Sequence, residues 1–270
     1  MSLGPFDLTG GPFLQIYGTL FALAIVAGFM IPRWLRPEGR PGRVTGTDDL
    51  AYLAGGVARF ADALVTRLLA AGAMILTGGK HFSVQTRDHG TSAAERSVLA
   101  LPPPIGWPLI EKTLKPYAEP VERRLVASGL LIDRSLAMQM RFWQTLPYFL
   151  LLPFGAIKWM VGEARGKPVG YLTAFLIVTL IFAIVRWFAV DRRTRNGVEA
   201  LKDAQARSDR LRRAPTSNEA DMAVALFGTA VLVGSGWSDF HQLRNAGSGD
   251  GGGGSGDGGC GGGGCGGCGG

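Results

Sequence analysis

A mostly α-helical membrane protein is the fold class that this sequence predicts, and three observations predict it. Charge is sparse: 18% Asp, Glu, Lys and Arg stand beside 47% hydrophobic residues in a 270-residue chain with a mean hydropathy of +0.18. Soluble domains usually carry more charge. Several stretches of bilayer-spanning length contain no charge at all. Glycine, finally, is concentrated at one end, where 17 of the 41 glycines lie between Gly247 and Gly270 together with all three cysteines. The expected architecture is three or four transmembrane helices, a cytoplasmic, helical, winged-helix-like insert between the first two, and a disordered Gly/Cys tail. A secreted disulfide scaffold is excluded, because the 259 residues before Cys260 hold no cysteine with which to staple a core.

The first 12 residues form a short exterior N-terminus, and transmembrane helix 1 covers 13–31 (FLQIYGTLFALAIVAGFMI), within a segment uncharged from Asp7 to Arg33. No basic region precedes this run, and Pro32, Arg33 and Trp34 follow it in place of a cleavage site, so it reads as an anchor and not a signal peptide. Arg33, Arg36, Arg40 and Arg43 lie beyond it against Glu38 alone, whereas only Asp7 precedes it. The positive-inside rule therefore puts the N-terminus outside and residues 32–141 in the cytoplasm. Helices 2 and 3 follow as a hairpin, 142–162 and 168–190. Trp143 and Trp159 serve as interfacial anchors, Lys158 snorkels, Pro147 and Pro153 kink helix 2, and Arg186, Arg192, Arg193 and Arg195 close the pair on the inside. A cytoplasmic charged segment, 191–221, leads to the apolar run 222–237 (MAVALFGTAVLVGSGW). Its sixteen residues fall short of a comfortable span, which favours a buried or interfacial helix over a fourth crossing. The outcome decides which side the tail faces.

Within the insert, Thr47 and Asp48 are candidate N-caps, and Val57, Phe60, Ala61, Leu64, Leu68 and Leu69 give the stripe of an amphipathic helix that stops at Gly72. AMILTGGKHFSVQ then reads as a β-hairpin turning at Thr77, Gly78, Gly79 and Lys80. Helix and hairpin together suggest a winged-helix-like unit. RLLAAGAMI at 67–75 aligns with RLVASGLLI at 124–132 in five of nine positions, so the unit is expected twice, with helices at 92–101 and 108–114 leading into the second copy. Fourteen Lys and Arg against ten Asp and Glu between Arg36 and Arg141 are a small excess, and acidic residues interrupt the basic ones. A packing or protein-binding module is thus favoured over nucleic-acid binding, which remains the alternative as a membrane-tethered regulator.

Catalytic constellations are scarce. Gly79 and Lys80 sit where a phosphate loop would put them, but Met74 and His81 occupy its required Gly and Ser/Thr positions. His81, His89 and His241 share no helix face and read as surface residues, and no nucleophile elbow occurs. Arg186 sits near the cytoplasmic edge, where it can snorkel. The chain reads as non-enzymatic, with no resident cofactor.

The unusual chemistry lies in the tail, 246–270, whose charges are Asp250 and Asp257 and which has no apolar residue able to build a core. Cys260-x4-Cys265-x2-Cys268 matches the first three ligands of a plant-type [2Fe-2S] site, but the fourth is missing. Two readings remain for these three thiols. They bind a soft metal such as Cu(I) or Zn(II), or they are the substrate of a modifying enzyme with free access to an unfolded segment.

GPFLQIY at 11–17, DLAYLAGG at 49–56, ERRLVASGLL at 122–131, GEARGKPVGYL at 162–172, RRTRNG at 192–197, VALFG at 224–228 and the terminal GGCGGGGCGGCGG run in an order that resembles a family of uncharacterised bacterial membrane proteins with a near-low-complexity, Gly/Cys-rich C-terminus. The resemblance covers nearly the whole chain and implies a bacterial cytoplasmic-membrane location. It also implies company with iron-dependent enzymes that oxidatively modify cysteine-containing peptides, which favours the substrate reading of the tail. No catalytic residue is carried over.

Overall fold

The computed structural model describes residues 10–213 and 215–248. In chain order come α1 (Gly10–Leu35), α2 (Thr47–Ala70), β1 (Met74–Thr77), β2 (His81–Val84), α3 (Ala93–Leu99), β3 (Ile105–Gly106), α4 (Trp107–Ala127), α5 (Arg134–Ala164), α6 (Gly170–Phe188), α7 (Arg195–Arg207), α8 (Asp209–Arg213), α9 (Ala220–Phe227) and α10 (Ser238–Ser248). Short 3-10 turns at Ser217–Glu219 and Thr229–Leu232 flank α9.

Three of these helices, α1, α5 and α6, are long and apolar enough to cross a bilayer. They pack on one another through a narrow stripe of Phe13, Tyr17, Ala24, Tyr148, Leu151, Leu172 and Ala183. Their other faces expose Leu23, Val26, Phe29, Leu150, Ile177 and Ile181, a continuous apolar surface that water would penalise and lipid would not. Small residues allow the close approach: a methyl group on Gly155 would lie 2.8 Å from both the Tyr17 ring and Leu176. The Tyr17 hydroxyl pairs with that of Thr179 at 3.1 Å. Lys158 is buried and lies 5.2 Å from the centre of the Phe13 ring, so its ammonium turns inward and does not snorkel.

The second body is a helical domain in which α2 is central. Gly55 and Gly56 leave helical geometry and break α2 into two parts. Gly46 is its N-cap, which leaves Thr47 and Asp48 inside the first turn. Its apolar stripe meets α4, the hairpin and α9 in one core that holds Leu53, Leu64, Leu68, Ile110, Leu114 and Val224. The hairpin turns where the sequence indicates, with Thr77 opposite His81, and β3 adds a third antiparallel strand to β2. Ser92 caps α3 through a reciprocal bond with Glu95, as its S-x-x-E sequence dictates.

Three further features differ from the sequence reading, and the run 222–237 follows it. Among the described residues no second hairpin follows α4, so the doubled winged-helix unit is absent. What repeats is a helix ending. Gly72 and Gly129 both have φ near +70°, and the amides of Ala73 and Leu130 both bond back to the carbonyls of Leu68 and Leu125 at 3.0 Å. The helix expected at 108–114 continues to Ala127 through Pro116 and Pro120. Both prolines are exposed and four residues apart, so they share the wet face, where solvent can satisfy the carbonyls they free. The segment 191–221 is more than a charged connector, because α7 buries Leu201 and Ala204 in the domain core. The run 222–237 forms no membrane-length helix: α9 has eight residues, and Ala223, Val224, Ala225 and Leu226 are buried in the domain.

Candidate functional site

Bundle and domain meet where the chain passes between them three times, after α1, before α5 and after α6. Backbone bonds stitch these passes together. The Ile132 amide donates to the Arg192 carbonyl at 2.7 Å, that of Thr194 to Leu130 at 3.0 Å, and that of Asn196 to Glu38 at 3.0 Å. Thr194 is buried, caps α7 by accepting from the Gly197 amide at 3.0 Å, and approaches the Gly129 carbonyl at 2.9 Å. Gly197 has to be glycine for reasons of space. In a helix, alanine is ordinarily the better residue by about 1 kcal/mol, but here a β-carbon would stand 2.1 Å from the Leu130 carbonyl oxygen. Gly197→Ala should therefore lower stability by about 2 kcal/mol, as overpacking does. Thermal unfolding in detergent measures this, and a raised midpoint would contradict the close approach.

Glu122 is the ionic centre of this junction. Its side chain is 8% exposed and takes the Arg134 fork at 2.7 and 2.9 Å, Arg192 at 2.7 Å and the Tyr52 hydroxyl at 2.8 Å. These partners come from the start of α5, the strand-like segment after α6, and α2, so one carboxylate fastens bundle to domain. The Arg134 hydrogen bonds, supported by Arg192 and Tyr52, bring the Glu122 carboxyl down to about 2. Burial, together with the bond to Glu122, pushes the Tyr52 phenol up to about 12.

Inside the domain a second centre has the opposite sign. Arg67 donates to Asp48 at 2.8 Å, Glu95 at 3.0 Å and Asp221 at 2.8 Å, joining α2, α3 and α9. Burial opposes ionisation of Glu95, yet the Thr91 hydroxyl, the amides of Thr91 and Ser92, and Arg67 hold its carboxyl below the usual range. On the far side, Arg244 of α10 lies 4.1 Å from the centre of the Trp107 ring and bonds Asp62 at 2.6 Å. Phe240 from the same helix is buried against Phe82 and Trp107. The last described helix is thus docked on the domain.

At the end of the bundle nearest the domain lies a recess of about 160 Å³, bordered by Arg33, Arg36, Gln144 and Arg186 with apolar walls from Phe29 and Met140. Arg186 turns inward to it. Its guanidinium stacks 4.6 Å from the centre of the Phe29 ring and donates to the Gly28 carbonyl, with Gln144 Oε1 at 3.4 Å. Gln144, 1% exposed, in turn donates to the Arg186 carbonyl. The sequence signal for this pairing is modest: Gln144 is the one side-chain amide in an otherwise uncharged run.

Cys260, Cys265 and Cys268 lie outside the described residues, as does nearly all of the tail. Among the described residues no three His, Cys, Asp or Glu side chains converge as a metal site would require. His81 and His89 are exposed, whereas His241 is half-buried between Thr229 at 3.0 Å and Asn245 at 2.9 Å. Comparison with protein-family models, curated proteins and solved structures finds no match to this chain.

Proposed function

We propose that the chain is a non-enzymatic, multi-pass membrane scaffold that holds its Gly/Cys tail beside a folded domain on the cytoplasmic face of a bacterial inner membrane. Its N-terminus is outside, and Cys260, Cys265 and Cys268 are the substrate of a modifying enzyme or ligands of a soft metal ion. The observation that carries this reading is the fate of 222–237. Its apolar residues are spent in the domain core, and α10 is fastened to the same domain by Phe240 and Arg244, so the tail begins on the side where the domain lies. The arginines beside that domain, Arg33, Arg36, Arg192 and Arg193, support the cytoplasmic assignment.

Because every cysteine is in the tail, the unmodified sequence is its own topology reporter. Expressed where its tail thiols stay free, the protein should be labelled by a membrane-impermeant maleimide in inside-out vesicles and not in intact cells; labelling of intact cells would reverse the assigned sidedness. Mass spectrometry of the native C-terminal peptide, under denaturing and native conditions, should find a covalent adduct or a bound metal. Three free thiols carrying neither would remove the role given to the tail.

A further inference from the structure

The recess at the domain end of the bundle has the charge and size of an anion site. We propose that it binds a phosphate oxyanion, supplied by the phosphodiester of an anionic phospholipid, between Arg33 and Arg186 with Gln144 beside them.

Charge is the first argument. Of the three bordering arginines, Arg36 is paired at 3.1 Å with Asp191, a carboxylate that itself lines the recess and also approaches Arg193 at 3.8 Å. No carboxylate among the described residues pairs with Arg33 or Arg186, so about two positive charges remain at one small recess. The second argument is the orphan donor. Arg186 spends part of its fork on the Gly28 carbonyl and Gln144, but its Nε is buried and has no hydrogen-bond partner among the described residues. A buried donor of this kind needs an explanation. The Tyr148 hydroxyl, also unpartnered among the described residues, lies near the same glycine. The Nε therefore speaks only to the spare donor capacity of a guanidinium that lines the recess, for which an oxyanion is the strongest acceptor. Size agrees: about 160 Å³ accommodates a tetrahedral oxyanion with room over, since a single water occupies about 30 Å³ of liquid.

Depth favours a lipid as the source. Trp34 at the end of α1 is 81% exposed, Trp143 of α5 is exposed, and Trp187 closes α6, so indoles from all three helices cluster at this end. Trp159 and the exposed Tyr171 mark the opposite end. Two such belts delimit the headgroup levels of a bilayer, and the recess sits at one of them. Its apolar walls, Phe29, Pro32 and Met140, would meet the glycerol and first methylenes of a lipid, whereas soluble phosphate has no use for them. Basic pockets between membrane helices on the cytoplasmic side are suited to such headgroups.

The inference rests on α1, α5 and α6 being membrane spans, which solubility of the full chain without detergent would refute separately. Full-length protein, delipidated in neutral detergent, is titrated in three arms with phosphatidylglycerol, phosphatidylcholine and inorganic phosphate, with binding read by native mass spectrometry and by the shift in thermal midpoint. Phosphatidylglycerol should bind and stabilise at least tenfold more tightly than phosphatidylcholine. Arg186→Gln should weaken it by about tenfold or more, as loss of a charge-assisted contact does. Arg33→Gln, at an exposed position, gives the same readout without disturbing helix packing. Inorganic phosphate binding as tightly as the lipid, and lost in the same variants, would keep the oxyanion site but overturn the lipid as its source. Equal binding of both phospholipids, or unchanged binding in Arg33→Gln and Arg186→Gln, would overturn the site.

Discussion

Glu122→Gln should loosen the junction between bundle and domain, lowering stability by about 2–3 kcal/mol. Breaking a buried pair by removing one partner costs about 3–5 kcal/mol. That figure is discounted here because the Arg134 side chain is 69% exposed and solvent already screens it. The loss arises mainly at Arg192, which would keep a charge in the junction with no carboxylate to meet it, and at Tyr52. Arg134→Gln removes only the wetter partner and should cost less than about 1 kcal/mol. In a chain of this size each kcal/mol moves the thermal midpoint by about 2–4 °C, so the two variants are separable by tryptophan fluorescence during heating. The pH dependence follows from the depressed carboxyl. Glu122 ionises at about 2 when folded and near 4.5 when free. Its contribution is therefore fully present above about pH 4.5 and is lost as pH falls toward 2. The gap between wild type and Glu122→Gln should close over that interval. A gap that persists unchanged at pH 2.5 would mean that shape, and not charge, holds the junction.

How much of this was legible in the sequence depends on the range over which each signal acts. The charge-free runs mark the cores of α1, α5 and α6 because a helix of membrane-spanning length and composition leaves a long, local and one-dimensional signature. The Thr77–Lys80 turn is equally local. The extent of α4 is hidden because Pro116 and Pro120 read as helix breakers, and only their shared exposure in the folded domain explains why the helix survives them. The run 222–237 carries enough apolar residues for a membrane or a core, and composition alone does not choose between them. The choice is made by packing, where Ala51 and Ala63 of α2 let Ala225 of α9 approach closely. Leu201, Ala204 and Leu211 follow a helical period that does announce a buried face on α7 and α8, although the surrounding charge masks it.

The candidate site was less legible, for a geometric reason. Tyr52, Glu122, Arg134 and Arg192 are scattered over 140 residues and share no spacing, so nothing short of the fold brings them together. Arg186 does appear in the sequence as an ion near the end of a span, but the expectation that it reaches outward fails. Gln144 and the Gly28 carbonyl offer inward partners, and a guanidinium at that depth takes the polar contacts nearest to it.

Arg67 should be the most sensitive position in the domain, and Arg67→Met is expected to cost about 3–5 kcal/mol. The side chain is the common donor to three carboxylates, and two of them have little recourse to solvent: the side chains of Glu95 and Asp221 are 2% and 17% exposed. Removing the cation leaves both negative charges without the donor they share, a larger penalty than the loss of favourable contacts alone. Glu95 retains the Thr91 and Ser92 donors, which keeps the cost from exceeding this range. Arg67→Lys should recover only part of the loss, since an ammonium is a point charge and cannot aim a planar fork at Asp48, Glu95 and Asp221 together. If uncompensated charge is the cause, adding Glu95→Gln to Arg67→Met should restore more stability than Glu95→Gln forfeits in the wild type, giving a coupling of at least about 1 kcal/mol in a double-mutant cycle. Simple additivity of the two changes would assign the stability to the methylene packing of Arg67, and the three-carboxylate centre would then hold nothing together.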